Sequence, residues 1–245
     1  MTFDNELEFE KHVVEHLQRH GWSADVLKYK NEKELLDNWA EILYQNNKGI
    51  DRLNNCRLTE GEMHQIIEQI IKLKTPYNLN KFINGTSLTI KRDNQDDLLH
   101  FGKDVTLFIY DSDQIAGGKS VYQIVEQPYF SNQNIYGNSR RGDLMLLING
   151  MPVIHIELKK SGDSVSQATE QIKKYAQEGV FTGLFSLVQV FVAMTPDKTL
   201  YFANPGDNPF NDKFIFHWAD FNNEEYTSWE KVVEKLLSIP MAHKL

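Results

Sequence analysis

The sequence predicts an α/β protein, in which a mixed central β-sheet is flanked by helices and preceded by a mostly helical N-terminal region. Three observations predict this class. Apolar side chains recur at helical spacing up to about residue 75. Beyond that point, several segments are rich in β-branched and aromatic residues, which favour strands. Strands and helices then alternate late in the chain, as they do in α/β domains.

The 245 residues are expected to form a single domain, because 41% of them are hydrophobic and a chain of this length can bury one sizeable core. Within that domain we expect three parts. Residues 1–75 are mainly helical, residues from about 100 to 205 form the α/β core, and residues 224–245 carry a C-terminal helix.

Three helices are predicted in the N-terminal part. The first, ELEFEKHVVEHLQRHGW, ends at Gly21, a residue type typical of the position just after a helix. The second is EKELLDNWAEILYQNN. The third, LTEGEMHQIIEQIIKL, begins with a T-x-x-E capping box formed by Thr59 and Glu62. Each of these segments carries apolar residues on one helical face, which predicts packing against a common core.

Strand-like segments follow. We predict strands in DVTLFIYD (residues 104–111), SVYQIVEQPYF (120–130), LFSLVQVFVAMT (184–195) and KTLYFAN (198–204), and two more within RRGDLMLLINGMPVIHIELKK (140–160). A helix is predicted in SVSQATEQIKKYAQ, and another in TSWEKVVEKLLSI, capped at Thr227 and Glu230.

Composition limits the functional classes. Cys56 is the single cysteine, which excludes an intramolecular disulfide framework and a cysteine-based zinc site. The opening residues lack a secretion signal, and no segment approaches the roughly 20 apolar residues of a membrane span. We therefore expect a soluble, cytoplasmic protein with no membrane partner. The net charge of -8 means that any nucleic acid must be met by a local basic patch or by another part of an assembly.

Charged residues stand at the ends of the two most apolar strands. Asp143 precedes one apolar run, and Glu157 and Lys159 close the next. Burying such groups is costly unless they have partners. Two interpretations remain open from the strands alone: the ends of the strands emerge into solvent and Glu157 pairs with Lys159, or the charges form a site.

The turn between the two strands decides whether the acids converge. Alternate residues of a strand share a face, so Glu157 shares its face with Val153 and His155. Asp143 joins that face only if the loop has an odd length. We predict a three-residue loop at 148–150, which sets Asp143 opposite His155. A two-residue turn with regular pairing would point Asp143 away from Glu157. We assign no role to His155.

Two carboxylates at a strand end suit Mg²⁺, which prefers oxygen ligands and usually takes only one or two protein carboxylates. A metal ion can neutralise the charge that develops on a phosphodiester and activate a water, and Lys159 could stabilise the transition state. Gln171 and Tyr175 are spaced i, i+4 on the following helix and therefore share one of its faces. Asp143, Glu157 and Lys159 are a workable phosphodiesterase site.

These residues resemble the PD-(D/E)XK nuclease superfamily in the form G-D-x13-E-L-K, followed by a RecB-like Q-x-x-x-Y motif. More narrowly, residues from about 100 to 205 look like the N-terminal nuclease domain of the restriction (R) subunit of type I restriction–modification enzymes. The N-terminal segment FEKHVVEHLQRHGW also fits that family. The resemblance implies a restriction endonuclease-like fold and a Mg²⁺-dependent endonuclease that cuts double-stranded DNA, with Mn²⁺ as a substitute cofactor.

The resemblance also implies roles for individual residues. The catalytic residues would be Asp143, Glu157 and Lys159. The metal would be held by Asp143, Glu157 and the backbone carbonyl of Ile156. Supporting or DNA-facing residues would be Gln171, Tyr175, Glu10, Arg140, Arg141 and Lys160.

In the family, the R subunit continues into an ATP-dependent DNA motor and works with methyltransferase (M) and specificity (S) subunits. AGGKS is not a complete phosphate-binding loop, so ATP is expected to act only through a motor domain absent from this chain. The chain is expected to be an N-terminal fragment or a truncated relative. Two alternatives are a non-catalytic docking module that joins a motor to its partners, and a free-standing defence or repair nuclease.

Overall fold

The computed structural model describes residues 2–85, 87–109, 120–130 and 139–242. The end of the strand predicted at 104–111 and most of AGGKS lie outside these residues. The helices are α1 (Glu6–Arg19), α2 (Glu32–Asn47), α3 (Glu60–Ile71), α4 (Pro76–Ile83), α5 (Val165–Gln177), α6 (Trp229–Val232) and α7 (Ile239–Ala242). The strands are β1 (Val26–Lys28), β2 (Ser87–Lys91), β3 (Asp104–Phe108), β4 (Tyr122–Glu126), β5 (Tyr129–Phe130), β6 (Arg140–Arg141), β7 (Leu144–Ile148), β8 (Met151–Leu158), β9 (Val190–Met194) and β10 (Thr199–Ala203).

Side chains at the helix ends explain where the helices start and stop. The capping box predicted for α3 is present, since Thr59 and Glu62 each accept a hydrogen bond from the other's backbone amide. Gly21 follows α1 with a φ of 105°, a left-handed conformation that favours glycine. The predicted cap at Thr227 is wrong by one residue, because Ser228 caps α6, which continues as a π-helical turn (Val233–Leu237).

The central sheet has six strands in the order β1-β4-β7-β8-β9-β10. It is mixed: β1 pairs with β4, and β8 with β9, in parallel, and the remaining pairs are antiparallel. One face packs on α2, α3 and α5, and the other on α1 and the C-terminal helices. Strands β7, β8 and β9 are buried along their whole length because both faces are covered. The predicted α/β class is confirmed.

The turn between β7 and β8 differs from the prediction. Ile148 pairs with Met151, so the loop has two residues, Asn149 and Gly150, and the predicted three-residue loop is wrong. Both loop residues have positive φ, 51° and 83°, as a type I′ turn requires. The odd residue is instead supplied by a β-bulge: Leu146 pairs with Ile154 and Leu147 with Pro152, leaving Val153 as the extra residue.

The bulge changes which residues share a face. Val153 joins the apolar core under α1 instead of the face of Glu157, contrary to the prediction. Beyond the bulge, Leu144 pairs with Ile156, so the register continues with Asp143 opposite Glu157 rather than His155. The bulge adds the one residue that the three-residue loop would have added. As a result, Asp143 and Glu157 point to the same face of the sheet.

Two other segments differ. Strand β3 pairs with β2 in a separate two-stranded sheet, where buried and exposed residues alternate, and is not part of the central sheet. The first part of the segment predicted as a strand at 184–195 is a 3₁₀ helix (Gly183–Leu187). None of the helices in the described ranges combines the length and the apolar composition needed to cross a bilayer.

Candidate active site

The two predicted acids meet where β7 begins and β8 ends. Glu157 is fully buried and Asp143 is half-buried, and the register of the two strands sets Asp143 opposite Glu157. The Leu158 amide donates to Oδ2 of Asp143 at 2.6 Å. This contact is possible because β7 starts only at Leu144, so the last residue of β8 lacks a backbone partner on that side. The end of one strand therefore anchors the acid that precedes the other.

The oxygens of Glu157 are held by two side chains. Nε2 of His155 lies 2.8 Å from Oε1, and Nε2 of Gln171 donates to Oε2 at 2.7 Å. Gln171 also donates to the Tyr175 hydroxyl at 2.8 Å, and that hydroxyl donates to the carbonyl of Arg141 at 2.8 Å. The Q-x-x-x-Y face of α5 thus connects Glu157 to the chain entering β7.

Lys159 lies at the same sheet end, and its side chain is only 11% exposed. Its Nζ donates to the carbonyl of Leu158 at 2.9 Å and lies 3.1 Å from Oε1 of Glu6, in the first turn of α1. The ammonium group is therefore held between a backbone carbonyl and an acid of α1.

Glu10 is the second residue of α1, after Glu6, that lies at the site. It is buried and accepts weak hydrogen bonds of 3.4 and 3.5 Å from the Gln127 side chain. The backbone amide of Gln127 donates to the backbone carbonyl of Asp143 at 2.7 Å. The side-chain oxygen of Gln127 accepts a hydrogen bond from the Arg141 guanidinium at 3.3 Å. Gln127 has a φ of 52°, a left-handed conformation that is costly for a residue with a side chain and is common near functional sites.

Burial dominates the electrostatics of the cluster. It raises the pKa of Glu157 to about 8, and it raises the pKa of Asp143 well above its usual value, with a further contribution from the charge of Glu157. Burial and the charge of Asp143 raise the pKa of Glu10 to about 8. Burial lowers the pKa of His155 to about 4, so the imidazole is neutral. The acids of the cluster outnumber Lys159, and an added cation would offset their repulsion.

The predicted basic residues point in different directions. Arg140 makes two hydrogen bonds of 2.6 Å to Glu178 at the end of α5. Arg141 is exposed, and its guanidinium carbon lies 5.5 Å from the centre of the Tyr29 ring. Lys160 is exposed at the end of β8. The structure therefore leaves Arg141 and Lys160 on the surface beside the acids.

The donor set fits a divalent cation such as Mg²⁺. Asp143 and Glu157 supply carboxylate oxygens, which Mg²⁺ prefers, and their raised pKa values indicate a place for positive charge. Within the described part of the chain, no group of three or more His, Cys, Asp or Glu side chains is arranged to hold a metal. Mg²⁺ keeps several waters and needs only one or two protein carboxylates, so the pair is sufficient.

Ile156, the predicted carbonyl ligand, pairs with both Leu144 and Val192 in the interior of the sheet. Leu158 lies beyond the end of β7, where its amide bonds to Asp143 and its carbonyl bonds to Lys159. Because the carbonyl and amide of a strand residue point to the same side, the Leu158 carbonyl is better placed beside the carboxylates.

Sequence reasoning missed several groups at the site: His155, Gln127, Glu6 and the Leu158 carbonyl. The i, i+2 spacing of His155 and Glu157 was a usable signal for one of them. Glu6 and Gln127 reach the site only through long-range packing, and no local pattern marks them.

Comparisons with known proteins agree on one family. Residues 4–210 match the family model described as type I restriction enzyme R protein N terminus. The endonuclease subunit of the type I restriction enzyme SsaAORF53P of Staphylococcus saprophyticus is 26% identical over 237 residues, which are 97% of this chain and 23% of that relative. The SauCOLORF180P endonuclease subunit of Staphylococcus aureus is 25% identical over the same shares.

A third relative, the EcoprrI endonuclease subunit of Escherichia coli, is 27% identical over 230 residues, 91% of this chain and 66% of that relative. The chain thus spans 23% of the length of the staphylococcal relatives.

Proposed function

Because the chain belongs to the family of type I restriction enzyme R protein N termini, we propose that it is the endonuclease domain of such a subunit. It hydrolyses phosphodiester bonds of double-stranded DNA with Mg²⁺ as cofactor, and Mn²⁺ can substitute. In the classification of enzymes this is a type I site-specific deoxyribonuclease. The positions of its residues at the end of β8 support the roles proposed for them.

The observation that carries the proposal is the position of Asp143 opposite the fully buried Glu157 at the end of β8, beside Lys159. Two carboxyl groups in contact repel each other when both are ionised, and burial makes each charge more costly. A bound cation would offset this repulsion, which gives the site a reason to keep the two acids together. A docking module without catalysis has no such reason, so the nuclease is the better reading.

Asp143 and Glu157 would hold the cation, and the Leu158 carbonyl is the backbone oxygen placed to assist them. When bound, Mg²⁺ would neutralise the charge that develops on the phosphodiester. The Leu158 amide and Gln171 keep the two acids in place, since each donates a hydrogen bond to one of them. Tyr175 fixes Gln171 against the chain entering β7.

Lys159 would orient the attacking water and stabilise the charged transition state. An ammonium group has three donors, and the Leu158 carbonyl and Glu6 take two of them. The third is available to a substrate phosphate or to the water beside it. Glu6 limits the movement of the side chain and so keeps Nζ near the acids.

Arg141 and Lys160 would contact DNA phosphates, since both are exposed beside the site. Arg140 has a different role: its bonds to Glu178 tie β6 to the end of α5, and this supports the helix that carries Gln171. Because the net charge is -8, most of the affinity for DNA would come from other parts of the assembly.

In the complete subunit, cleavage would be coupled to ATP-dependent DNA translocation by a motor domain, and the subunit would work with methyltransferase (M) and specificity (S) subunits in the cytoplasm. The staphylococcal relatives, of which this chain spans 23%, leave room for such a motor.

A plasmid-nicking assay combined with metal binding tests the proposal. The wild-type chain should convert supercoiled plasmid to open-circle and linear forms in the presence of Mn²⁺. Asp143→Ala should lose both nicking and Mn²⁺ binding, whereas Lys159→Ala should lose nicking and keep the metal. Glu224→Gln, at an exposed position away from the cluster, is the matched control. Equal nicking by all three variants would overturn the proposal.

A further inference from the structure

His155 was assigned no role from the sequence, yet it is fully buried against the proposed metal ligand Glu157. The two side chains share a face of β8, and Nε2 of His155 lies 2.8 Å from Oε1 of Glu157. The other oxygen of Glu157 accepts from Gln171 at 2.7 Å. Each oxygen of this carboxylate therefore has one nitrogen partner, and the two partners come from different elements, β8 and α5.

The partners of His155 define its tautomer. An ionised carboxylate only accepts hydrogen bonds, so when Glu157 is ionised, as a ligand of the cation must be, Nε2 carries the imidazole proton to bond to it. Nδ1 of His155 is buried and has no hydrogen-bond partner among the described residues. In this tautomer Nδ1 carries only a lone pair, and no donor among the described residues holds it.

Packing fixes the ring in this position. The centres of the rings of Phe130, Phe181, Phe191 and Tyr175 lie between 5.3 and 6.5 Å from that of His155. Such aromatic contacts are stabilising and leave little room for the imidazole to rotate.

Gly142 allows the chain entering β7 to approach this pair. A Cβ atom on Gly142 would lie 2.5 Å from Cε1 of His155 and 3.3 Å from Oε1 of Glu157. Any larger residue would therefore push the imidazole or the carboxylate out of place. Residue 142 directly precedes Asp143, so a shift of the chain at this position would also move that acid.

We propose that His155 is a positioning residue, which donates its Nε2–H to Oε1 of Glu157 and, together with Gln171, presents this carboxylate to the cation in a single orientation. A carboxylate has about four lone-pair positions, and the two donors occupy two of them. The others remain for the cation. The proposal rests on the proposed function, because the cation is the one assigned there. Partners of this kind typically change metal affinity 10- to 100-fold when they are removed.

Two variants separate the hydrogen bond from packing. His155→Phe keeps an aromatic ring among the four surrounding rings and removes the hydrogen-bond donor. His155→Gln replaces the ring with an amide of similar reach that can still donate. Phe181→Leu alters the packing around the imidazole and leaves the hydrogen bond between His155 and Glu157 in place, so it is the packing control. Circular dichroism and urea unfolding select the folded variants for comparison.

The experiment is a calorimetric titration with Mn²⁺ alone, followed by ¹⁵N NMR of the histidine rings. We expect His155→Phe to lose at least about tenfold in Mn²⁺ affinity, and His155→Gln and Phe181→Leu to remain within about threefold of wild type. The spectrum of the wild-type chain saturated with Mg²⁺ should show one imidazole, lost in His155→Gln, protonated on Nε2 with a slowly exchanging proton.

Each other outcome has a distinct meaning. Wild-type affinity in folded His155→Phe, or a proton on Nδ1 in the Mg²⁺-saturated wild type, would overturn the role of His155 and leave the proposed function intact. An equal loss in Phe181→Leu would make the role one of packing. If the wild-type chain binds no Mn²⁺, the proposed function fails and the positioning role fails with it.

Discussion

Glu157→Gln in the metal-free chain provides the sharpest test of the electrostatics. Glu157 is fully buried, and its pKa rises from 4.5 to about 8 on folding. A carboxyl group with a raised pKa binds its proton more tightly in the folded state than in the unfolded state. Its contribution to stability is therefore fully present below pH 4.5 and is lost as the pH rises through about 8.

The magnitude follows from linkage. Between pH 6 and pH 8 the unfolded glutamate is ionised, whereas the folded one stays mostly protonated, and each pH unit costs about 1.4 kcal/mol per proton. Partial ionisation near pH 8 reduces the total, so we expect this residue alone to lower the free energy of unfolding by about 2 kcal/mol across this interval. The lowered pKa of His155 has the opposite trend, but that histidine is present in both proteins.

Urea unfolding followed by circular dichroism, at pH 6 and pH 8 with a metal chelator present, measures this difference. The wild-type chain should lose about 2 kcal/mol more than Glu157→Gln between the two pH values. Glu224→Gln, which removes an exposed charge, should follow the wild type. An identical pH dependence in wild type and Glu157→Gln would refute the burial argument, and with it the electrostatic reason for a cation at this site.

Three further substitutions test the fold and the supporting residues. Arg92→Met should lower the free energy of unfolding by about 3–5 kcal/mol in urea unfolding, because it leaves the buried carboxylates of Glu62 and Asp97 without their partner. Gly150→Ala should cost about 1–3 kcal/mol in the same assay, since φ is 83° and a Cβ would lie 2.8 Å from the Trp39 ring. Tyr175→Phe loses two hydrogen bonds, one to the Arg141 carbonyl and one from Gln171, so it should cost about 2 kcal/mol and slow plasmid nicking less than Lys159→Ala does. Stability unchanged in the first two, or nicking by Tyr175→Phe as slow as that of Lys159→Ala, would contradict these assignments.

The central strands and their charged ends could be predicted because the signals are local. Continuous apolar runs mark β7 and β8 as strands covered on both faces, and the acids stand out against them. The i, i+4 spacing of Gln171 and Tyr175 likewise places both on one face of α5, where they bond to each other. Local patterns in the sequence were therefore enough to identify the acids at the strand ends and the pair on α5.

The turn was predicted wrongly because two local signals were weighed incorrectly. Asn149-Gly150 strongly favours a two-residue turn, and that turn forms. Pro152, in the interior of a central strand, has no amide proton to donate and is found mainly at bulges. Recognising the proline would have predicted the bulge, and with it the convergence of Asp143 and Glu157 without a longer loop.

Contacts between distant segments could not be predicted. Glu6 meets Lys159, and Gln127 meets Glu10, only because α1 packs on the sheet face opposite α5. Strand β3 shows a different limit: its composition is that of a strand, but composition does not say which sheet it joins. Its alternation of buried and exposed residues, visible in the sequence as polar and apolar, was the available sign of a strand with one face in water.

A calorimetric titration of Mn²⁺ into the wild-type chain and into Glu157→Ala tests the central claim most directly. Asp143 and Glu157 are claimed to lie together in order to hold a cation. We expect saturable binding to the wild type, loss of binding in a folded Glu157→Ala variant, and unchanged binding in Glu224→Gln. Equal heats in wild type and Glu157→Ala would show that the cation does not bind between these acids, and would contradict the nuclease assignment of this site.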